Sequence, residues 1–438
     1  MNKNIKLAVA GAVLAMSATA ANAGIIIPAG EWTLDVNGNV NAYANWTRGK
    51  DSNTVDGGLA ATKPTDGQKT VQGINTGLLP AWLGFTGKTR QNDLDVEFTI
   101  SLQPGVSAND ISGDGAFVDG TTASNGSKML NRQTYLSFGD KSWGSIKMGK
   151  DLGIFASDAI LNDMTLLGVG SGAGLSGSSA NTTNGGIGSG YLYAAWKSQI
   201  AYTTPNFNGF QATVGITNPN QGVGSASQSR FGLEGKASYA FAANDVTGKV
   251  WVSGLSNRVT TESVAVVDDA WVETISSATS TGASASTAYT FVAGSAATPS
   301  YKYNAYVGDI GATVNFANFG LTGYYYAGRG VGSTLVGARA ATSAGKTRDS
   351  DGGYIQATYV LPTKTKLGLA YGISNLDLAD GESNSTLLDS NERWTAAAYH
   401  PLTKHLNLVA EYNHITAQNH AGAENKSYTG SLGAILFF

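Results

Sequence analysis

Apolar and polar residues alternate strictly along the stretch from Trp32 to Thr47. Its even-numbered positions are apolar or glycine, and its odd-numbered positions carry side chains that can hydrogen-bond. Because successive side chains point to opposite faces of a β-strand, the segment has one apolar face and one polar face. It is longer than the 5–6 residues or so of a typical soluble strand, and Trp32 and Trp46 lie where interfacial aromatic belts occur. The pattern therefore predicts a transmembrane β-strand.

The same alternation recurs along the chain and predicts sixteen strands. Most of them are close to the roughly 9–11 residues that a tilted strand needs to cross a bilayer. Their predicted bounds are 32–47, 79–88, 92–103, 131–138, 144–150, 197–204, 209–217, 230–241, 245–254, 303–316, 319–328, 353–361, 365–374, 392–399, 405–413 and 427–438.

The connections between these strands alternate in length. The first and every later odd-numbered connection is long, whereas the even-numbered ones are tight turns such as 89–91 and 362–364. An even number of strands with one long-loop end and one short-turn end is typical of outer-membrane barrels. We therefore predict an all-β chain that forms a sixteen-stranded antiparallel transmembrane β-barrel, with short periplasmic turns and long extracellular loops.

The first 23 residues have the features of a secretory signal peptide. Two lysines precede an apolar run from Leu7 to Ala15, and Ala21-Asn22-Ala23 supplies a small-residue cleavage site. The run is too short for a membrane-spanning helix, which needs roughly 20 apolar residues. We therefore predict cleavage after Ala23 and one barrel domain, residues 24–438.

Composition excludes several classes of function. The formal net charge of −3 becomes −5 when the two signal-peptide lysines are removed, and this mild acidity argues against nucleic acid as a partner. The chain has no cysteine, which excludes disulfides and thiolate metal sites. The 57 glycines and only 9 prolines suit an all-β chain with many turns.

Three stretches resemble the general diffusion porins of Gram-negative outer membranes, which are sixteen-stranded trimers. They are Arg132–Gly139 with Trp143–Lys150, Ile200–Phe210 and Tyr359–Thr365. Together they cover the chain from about residue 130 onward in the family's order and spacing. Lys150 stands where the family usually has arginine, so this pore wall is expected to carry less guanidinium charge than its relatives.

The resemblance implies a passive channel in the outer membrane of a Gram-negative bacterium. Such a channel passes small hydrophilic solutes and ions with weak selectivity, and it assembles as a homotrimer in outer-membrane lipid. The C-terminal Phe438 resembles the signal that the outer-membrane insertion machinery reads. We expect no catalysis, no cofactor and no metal site, although paired aspartates in outer loops, such as Asp349 with Asp351, leave Ca²⁺ binding open. The alternatives are a substrate-selective channel, a barrel adhesin and an outer-membrane hydrolase.

The resemblance also implies that the third long connection, Asp151 to Trp196, folds back into the barrel and narrows it. Residues 152–164 are unusually apolar for a solvated loop, and apolar side chains need a surface to bury against. Asp158 and Asp163 of this segment are expected to face basic wall residues across the lumen. Opposed charges of this kind set ion preference in pores.

Strand alternation assigns charged and aromatic side chains to the pore wall. Arg132 and Lys147 are expected there, and the resemblance adds Lys150. The inward acids include Asp95 and Glu97. Inward charges of both signs nearly cancel, so the predicted selectivity is slight, with a weak lean toward cations. Five inward aromatic residues either guide solutes along the lumen or pack as structure, namely Tyr43, Trp251, Tyr324, Tyr326 and Tyr354.

Overall fold

Antiparallel strands join into one closed barrel in the computed structural model of the chain. The structure describes residues 24–106, 129–173, 182–220, 228–261 and 300–438, and the backbone of two strands between 261 and 300. The predicted signal peptide, residues 1–23 with its cleavage site at Ala23, lies outside the described residues.

The strands follow one another with few helical interruptions. They are β1 Ile25–Ala29, β2 Trp32–Gly49, β3 Val71–Asn75, β4 Trp82–Gln91, β5 Leu94–Leu102, β6 Thr134–Asp140, β7 Gly144–Leu152, β8 Trp196–Thr203, β9 Phe210–Thr217, β10 Gly232–Ala243, β11 Val246–Thr260, β12 Ala270–Ser276, β13 Ser286–Val292, β14 Lys302–Phe316, β15 Phe319–Arg329, β16 Asp349–Val360, β17 Lys366–Leu376, β18 Leu388–Pro401, β19 Leu406–Asn419 and β20 Glu424–Phe437. The helical elements among the described residues are α1, Ser157–Leu161, and a 3₁₀ turn, Met164–Leu167.

Neighbouring strands pair in sequence order around the barrel, and the last strand β20 pairs with β2 to close it. The short strands β1 and β3 also pair with β2, so they extend its edges. The other sixteen members of the eighteen-stranded sheet form the barrel wall. The predicted fold class and strand count are therefore confirmed.

Four strands were missed by the sequence pattern. β1 is a run of consecutive apolar residues, and β3 is too short to show a period. β12 and β13 pair only with each other, as a hairpin inside the long connection after β11. None of the four is one of the sixteen strands of the barrel wall, so the alternation that marks a membrane-spanning strand is not required of them.

The two faces of the wall have the predicted polarity. On β2, Val40 and Trp46 point outward and are 53% and 43% exposed, whereas Asn39, Asn41 and Asn45 point inward and are buried. Paired outer aromatic rings, such as Phe319 with Tyr359, lie near the short-turn end, as in an interfacial girdle. The apolar face therefore faces lipid and the polar face the interior.

No helix in the described part of the chain is long and apolar enough to cross a membrane. The largest cluster of buried apolar side chains lies inside the barrel. It combines wall residues with residues of the connection between β7 and β8, and this connection forms the site described next.

Candidate pore constriction

The third long loop, residues 153–195 between β7 and β8, folds into the barrel interior as predicted. Phe155, Ala159 and Met164 on its early part are almost completely buried. Phe155 and Ala159 pack among inward side chains of the wall, including Trp251 and Tyr354. The apolar character of the loop's early residues thus provides the surface that holds it inside the barrel.

A carboxylate on β10 holds the start of the loop. The Glu234 carboxylate accepts hydrogen bonds from the backbone N–H groups of Ile154 at 2.8 Å and Phe155 at 2.9 Å. Its other oxygen lies 2.6 Å from the Lys197 ammonium, and the Glu234 side chain is completely buried. Because a buried carboxylate is stable only when paired and hydrogen-bonded, this site fixes the loop and the wall to each other.

A second carboxylate on β19 holds the far side of the loop in the same way. Glu411 accepts hydrogen bonds from the N–H groups of Val169 and Gly170, both at 2.9 Å. The Tyr399 hydroxyl donates to Glu411 at 2.8 Å. Tyr43 on β2 donates to the Leu167 carbonyl at 2.7 Å. The loop therefore crosses the interior from β10 to β2.

Residues of β16 support the middle of the loop. The Tyr354 hydroxyl donates to the carbonyl of Ala159 at 2.8 Å. The Gln356 side chain accepts from the Met164 N–H at 2.9 Å and donates to the Asn162 carbonyl at 2.7 Å. Polar wall groups thus satisfy backbone groups of the loop along most of its described path.

Asp158 on α1 forms ion pairs with two wall lysines. Its carboxylate lies 3.1 Å from the Lys236 ammonium of β10 and also contacts the Lys249 ammonium of β11. Only 5% of the Asp158 side chain is exposed. Burial pushes the pKa of this carboxyl up, but the two lysines push it down by more, so its pKa lies below the ordinary value.

Asp163 ties two parts of the loop to each other. Its carboxylate accepts hydrogen bonds from the Thr165 N–H at 2.9 Å, the Gly186 N–H at 2.9 Å and the Tyr191 hydroxyl at 2.7 Å. The sequence analysis expected Asp158 and Asp163 to face basic wall residues across the lumen. Asp158 meets two such residues in direct contact, and the hydrogen bonds of Asp163 lie within the loop. Both carboxylates are buried in contacts within the loop or between loop and wall, because the loop lies directly against β10, β11 and β14–β16.

The inward aromatic residues serve to pack the loop. Tyr324 and Tyr354 stack at 5.6 Å between ring centroids, and Tyr191 of the loop packs edge-on against Tyr354 at 5.7 Å. These rings, with Trp251 and Tyr326, belong to the buried cluster beneath the loop. Of the two interpretations left open above, structural packing is the one that this arrangement supports, because the loop covers these rings.

The predicted wall residues separate into two groups. Lys147, Asp95 and Glu97 lie at inward positions of their strands, and Arg132 lines the lumen just before β6. Lys150 was wrongly placed on the pore wall. It pairs with Thr134 and follows the outward-facing Met148 at the next even position of β7, so its side chain starts from the outer face.

A cavity of about 710 Å³, called the passage below, lies between the folded loop and the inner wall formed by β2 and β4–β8. Its wall side carries Trp82, Tyr135, Trp196 and Arg132. Its loop side carries apolar residues, including Leu161 and Leu166. Arg132 is the one lining side chain, within the described part of the chain, that is charged at neutral pH.

The wall acids near the short-turn end are paired with bases. Glu97 lies 3.3 Å from Lys88, and Asp95 lies 2.7 Å from Arg90. Higher on the wall, Lys147 forms an ion pair with Asp151, which also accepts a hydrogen bond from Gln133. The wall charges therefore largely compensate one another locally.

The C-terminal residue closes the barrel seam. The Phe438 N–H donates to the Gly38 carbonyl at 3.0 Å, and the Gly38 N–H donates to the Phe438 carbonyl at 2.8 Å. A side chain at position 38 would meet the Trp82 carbonyl oxygen at 2.1 Å. Glycine is therefore required where β2 passes between β4 and the C-terminus.

Among the described residues, no group of three or more His, Asp or Glu side chains is arranged to hold a metal ion. Asp349 lies 3.5 Å from the Arg329 guanidinium, which draws one of the candidate outer-loop aspartates into an ion pair.

Sequence reasoning missed the roles of Glu234, Glu411 and Gln356 as loop anchors. By strand alternation both glutamates belong to the inner face, where the structure has them. What each one binds is a pair of backbone N–H groups some 80 to 240 positions away in the chain, and backbone donors carry no signature in a sequence. The one signal available in the sequence is an acidic residue at an inward position that has no basic residue opposite it on a neighbouring strand. Such a residue needs another partner inside the barrel.

Comparisons with known proteins agree with this architecture. A family model described as Gram-negative porin matches residues 8–420. The outer-membrane channel DcaP of Acinetobacter baumannii aligns with a TM-score of 0.62 and 17% identity, covering 95% of this chain and 100% of that one. The anion-selective porin from Comamonas acidovorans aligns with a TM-score of 0.56 and 15% identity, covering 93% and 100%.

A trimer form of OmpT, an outer-membrane protein of Vibrio cholerae, aligns with a TM-score of 0.51 and 13% identity, covering 93% of this chain and 99% of that one. At these identities the solved structures establish the shared fold. No curated protein sequence matches the chain significantly.

Proposed function

The chain belongs to the Gram-negative porin family and forms an outer-membrane diffusion channel, and we propose that its route for solutes is the passage between the third loop and β2–β8. In this proposal the channel is passive and stays open, and small hydrophilic solutes and ions cross it down their gradients. The loop sets the width of the route, and the lining of the passage sets its preferences.

The observation that carries this proposal is the anchoring of the loop. Glu234 and Glu411 each accept two backbone hydrogen bonds from it, and Asp158 pairs with two wall lysines. A loop held at several buried points is expected to keep one position, so the passage beside it has a constant width. Asp158 and Asp163 contribute to the constriction by holding the loop in place.

We propose that selectivity between small ions is weak. Asp95, Glu97 and Lys147 each have a partner of opposite charge, so their fields largely cancel at a distance. The sequence-based lean toward cations counted these acids as free charges. Within the passage itself Arg132 is the charged lining residue, and it favours anions.

We also propose a homotrimer embedded in outer-membrane lipid. The apolar outer face can contact lipid and neighbouring subunits alike, and the Vibrio cholerae protein of the same fold has a trimer form. Phe438 at the end of β20 is proposed as the residue read by the outer-membrane insertion machinery. Cleavage after Ala23 is proposed to release the barrel domain, residues 24–438. Catalysis and cofactors form no part of the proposal.

Planar-bilayer recording of the mature protein tests conduction. We expect ohmic current steps that group in threes, with a small reversal potential under a KCl gradient. A folded barrel without conductance would refute the channel. Independent single-step insertions would refute the trimer but not the channel.

Cysteine labelling tests the route, because the natural chain has no cysteine. Leu161 lines the passage and is 50% exposed, so Leu161→Cys should lose conductance when a charged methanethiosulfonate reagent reacts with it. Leu402, in a short turn and 54% exposed, provides the matched control Leu402→Cys. Equal effects of the reagent on both variants would place the conduction route elsewhere.

A further inference from the structure

The passage beside the third loop has an unusual lining for a water-filled lumen. Interior positions of porin-type barrels are generally polar. Here Leu161 of the third loop and Leu335 of a later loop project into the passage with half of their surface exposed. Leu79, Leu152 and Leu166 also line the passage. The exposed leucines face the lumen, so lipid contact does not account for them.

The opposite side of the passage carries aromatic rings and one cation. The Trp82 and Trp196 rings lie 5.9 Å apart. The Arg132 guanidinium lies 5.9 Å from the centre of the Trp196 ring. The backbone N–H of Arg132 donates to the Gln103 side chain at 2.8 Å, which fixes the start of the side chain.

Arg132 is available to a ligand in the passage. No carboxylate in the described residues forms a salt bridge with its guanidinium, and Asp151, which accepts a hydrogen bond from the adjacent Gln133, is paired with Lys147. A guanidinium presents a planar set of donors that matches a carboxylate in two parallel hydrogen bonds. The Trp196 ring lies within cation–π distance of the guanidinium and adds an aromatic surface beside the charge.

We propose that this passage contains a binding site for small organic anions with an apolar body, of which aromatic monocarboxylates are the simplest class. The carboxylate would pair with Arg132, and the apolar body would lie between the tryptophan rings and the leucines of the loops. The cavity volume of about 710 Å³ is in the range of small-ligand sites, so such an anion fits with water to spare. This inference rests on the proposed conduction route and specifies which class of solute binds within it.

The charge and the apolar surface act together in this site. A small anion without an apolar body gains only the pairing with Arg132, which is weak in a hydrated pore. A neutral apolar solute gains only contact with the leucines and rings. A solute that has both is expected to reside long enough to interrupt the ion current.

The test uses benzoate as the probe, with acetate and benzyl alcohol as controls that lack the ring and the charge respectively. Single-channel current of the wild-type protein is recorded in dilute KCl while each probe is added. We expect benzoate to reduce the current in a saturable manner, while acetate and benzyl alcohol at the same concentration do not. Equal effects of benzoate and acetate would overturn the proposal in favour of simple anion attraction.

Two variants with matched controls locate the site. Arg132→Gln should weaken the benzoate block about tenfold or more, because it removes a charge-assisted pair. Arg329→Gln should leave the block unchanged, because that arginine lies on the outer face of β15. Leu161→Gln should weaken the block severalfold, and Leu402→Gln should not. An unchanged block in Arg132→Gln would overturn the proposal.

Two further measurements keep the test decisive. Arg132→Lys retains the charge without the planar donors and is expected to weaken the block less than Arg132→Gln, so it replaces that variant if the latter does not fold. Calorimetric titration of benzoate into the folded wild-type protein measures binding without conduction. Binding without conductance would refute the proposed route while supporting the site, and conductance without binding would do the reverse.

Discussion

Asp158 of the third loop lies 3.1 Å from the Lys236 ammonium of the barrel wall. A second lysine, Lys249, contacts the other carboxylate oxygen. The charge that the sequence suggested for ion selection is therefore neutralised where the loop meets β10 and β11. Because this contact holds the loop beside the passage, loosening it should increase the noise of the ionic current through the channel.

Removing the Asp158 charge should loosen the loop. Asp158→Asn leaves two partly buried lysines without their partner, which typically costs about 3–5 kcal/mol when the pair is buried. We expect larger current fluctuations and a shift of the reversal potential toward anion preference. Asp380→Asn, in an exposed outer loop, is the control. A variant with wild-type current noise would show that the other anchors are sufficient.

Acidification should release the same contact. The pKa of Asp158 lies below its ordinary value in the folded protein. Such a carboxyl contributes stability that is present above the unfolded-state pKa of about 3.9 and is lost as the pH falls through the folded-state pKa. We therefore expect constant current noise down to about pH 5 and a rise only below about pH 4. The current noise of Asp158→Asn should not change over this range. If the current noise of the wild-type channel rose already near neutral pH, another titrating group would be responsible.

Introducing charge on the two faces of β5 should have opposite consequences. Phe98 points outward and Glu97 inward. Phe98→Arg should cost about 2–4 kcal/mol near the bilayer midplane, and less toward the interface. Glu97→Arg should fold and move the ion preference toward anions. Unfolding by urea in lipid vesicles measures the first, and reversal potential measures the second. The reverse outcome would exchange the two faces of the wall.

The barrel seam should not tolerate a side chain at position 38. A Cβ at Gly38 would lie 2.1 Å from the Trp82 carbonyl oxygen and 2.7 Å from the Phe438 ring. Gly38→Ala must therefore displace backbone, at a cost of about 1–3 kcal/mol. We expect a lower yield of barrel that migrates as folded on an unheated gel. Gly430→Ala on β20 is the control, since nothing lies within 4 Å of its added Cβ. Equal yields would mean that the seam adapts.

The sixteen wall strands could be predicted because each one has lipid on its outer face and the polar interior of the barrel on its inner face. That environment requires alternation along every strand, so the pattern at Val40, Asn41 and Trp46 is present in the sequence itself. A short turn leaves the two strands that it joins no choice but to pair with each other, so these pairings could also be predicted. The error at Lys150 arose because the resemblance was preferred to the parity of β7, which places that residue with the outward Met148.

The candidate site was less accessible to prediction. The apolar residues of the third loop indicated that it folds inward, but not which part of the wall it contacts. That choice depends on Glu234, Glu411 and Gln356 binding backbone groups of the loop, and those groups are the same in every residue. The position of the passage against β2–β8 follows from that choice.

The sequence by itself determined the barrel, its two faces and its two ends, because these properties repeat along every strand and depend on local alternation and connection length. Only the tertiary structure decided that Asp158 is paired with the wall and that Arg132 lines the remaining passage beside Trp196. Contacts between residues far apart in the chain depend on the path of one loop through the interior. That path is set by the sum of many specific contacts and has no periodic signature.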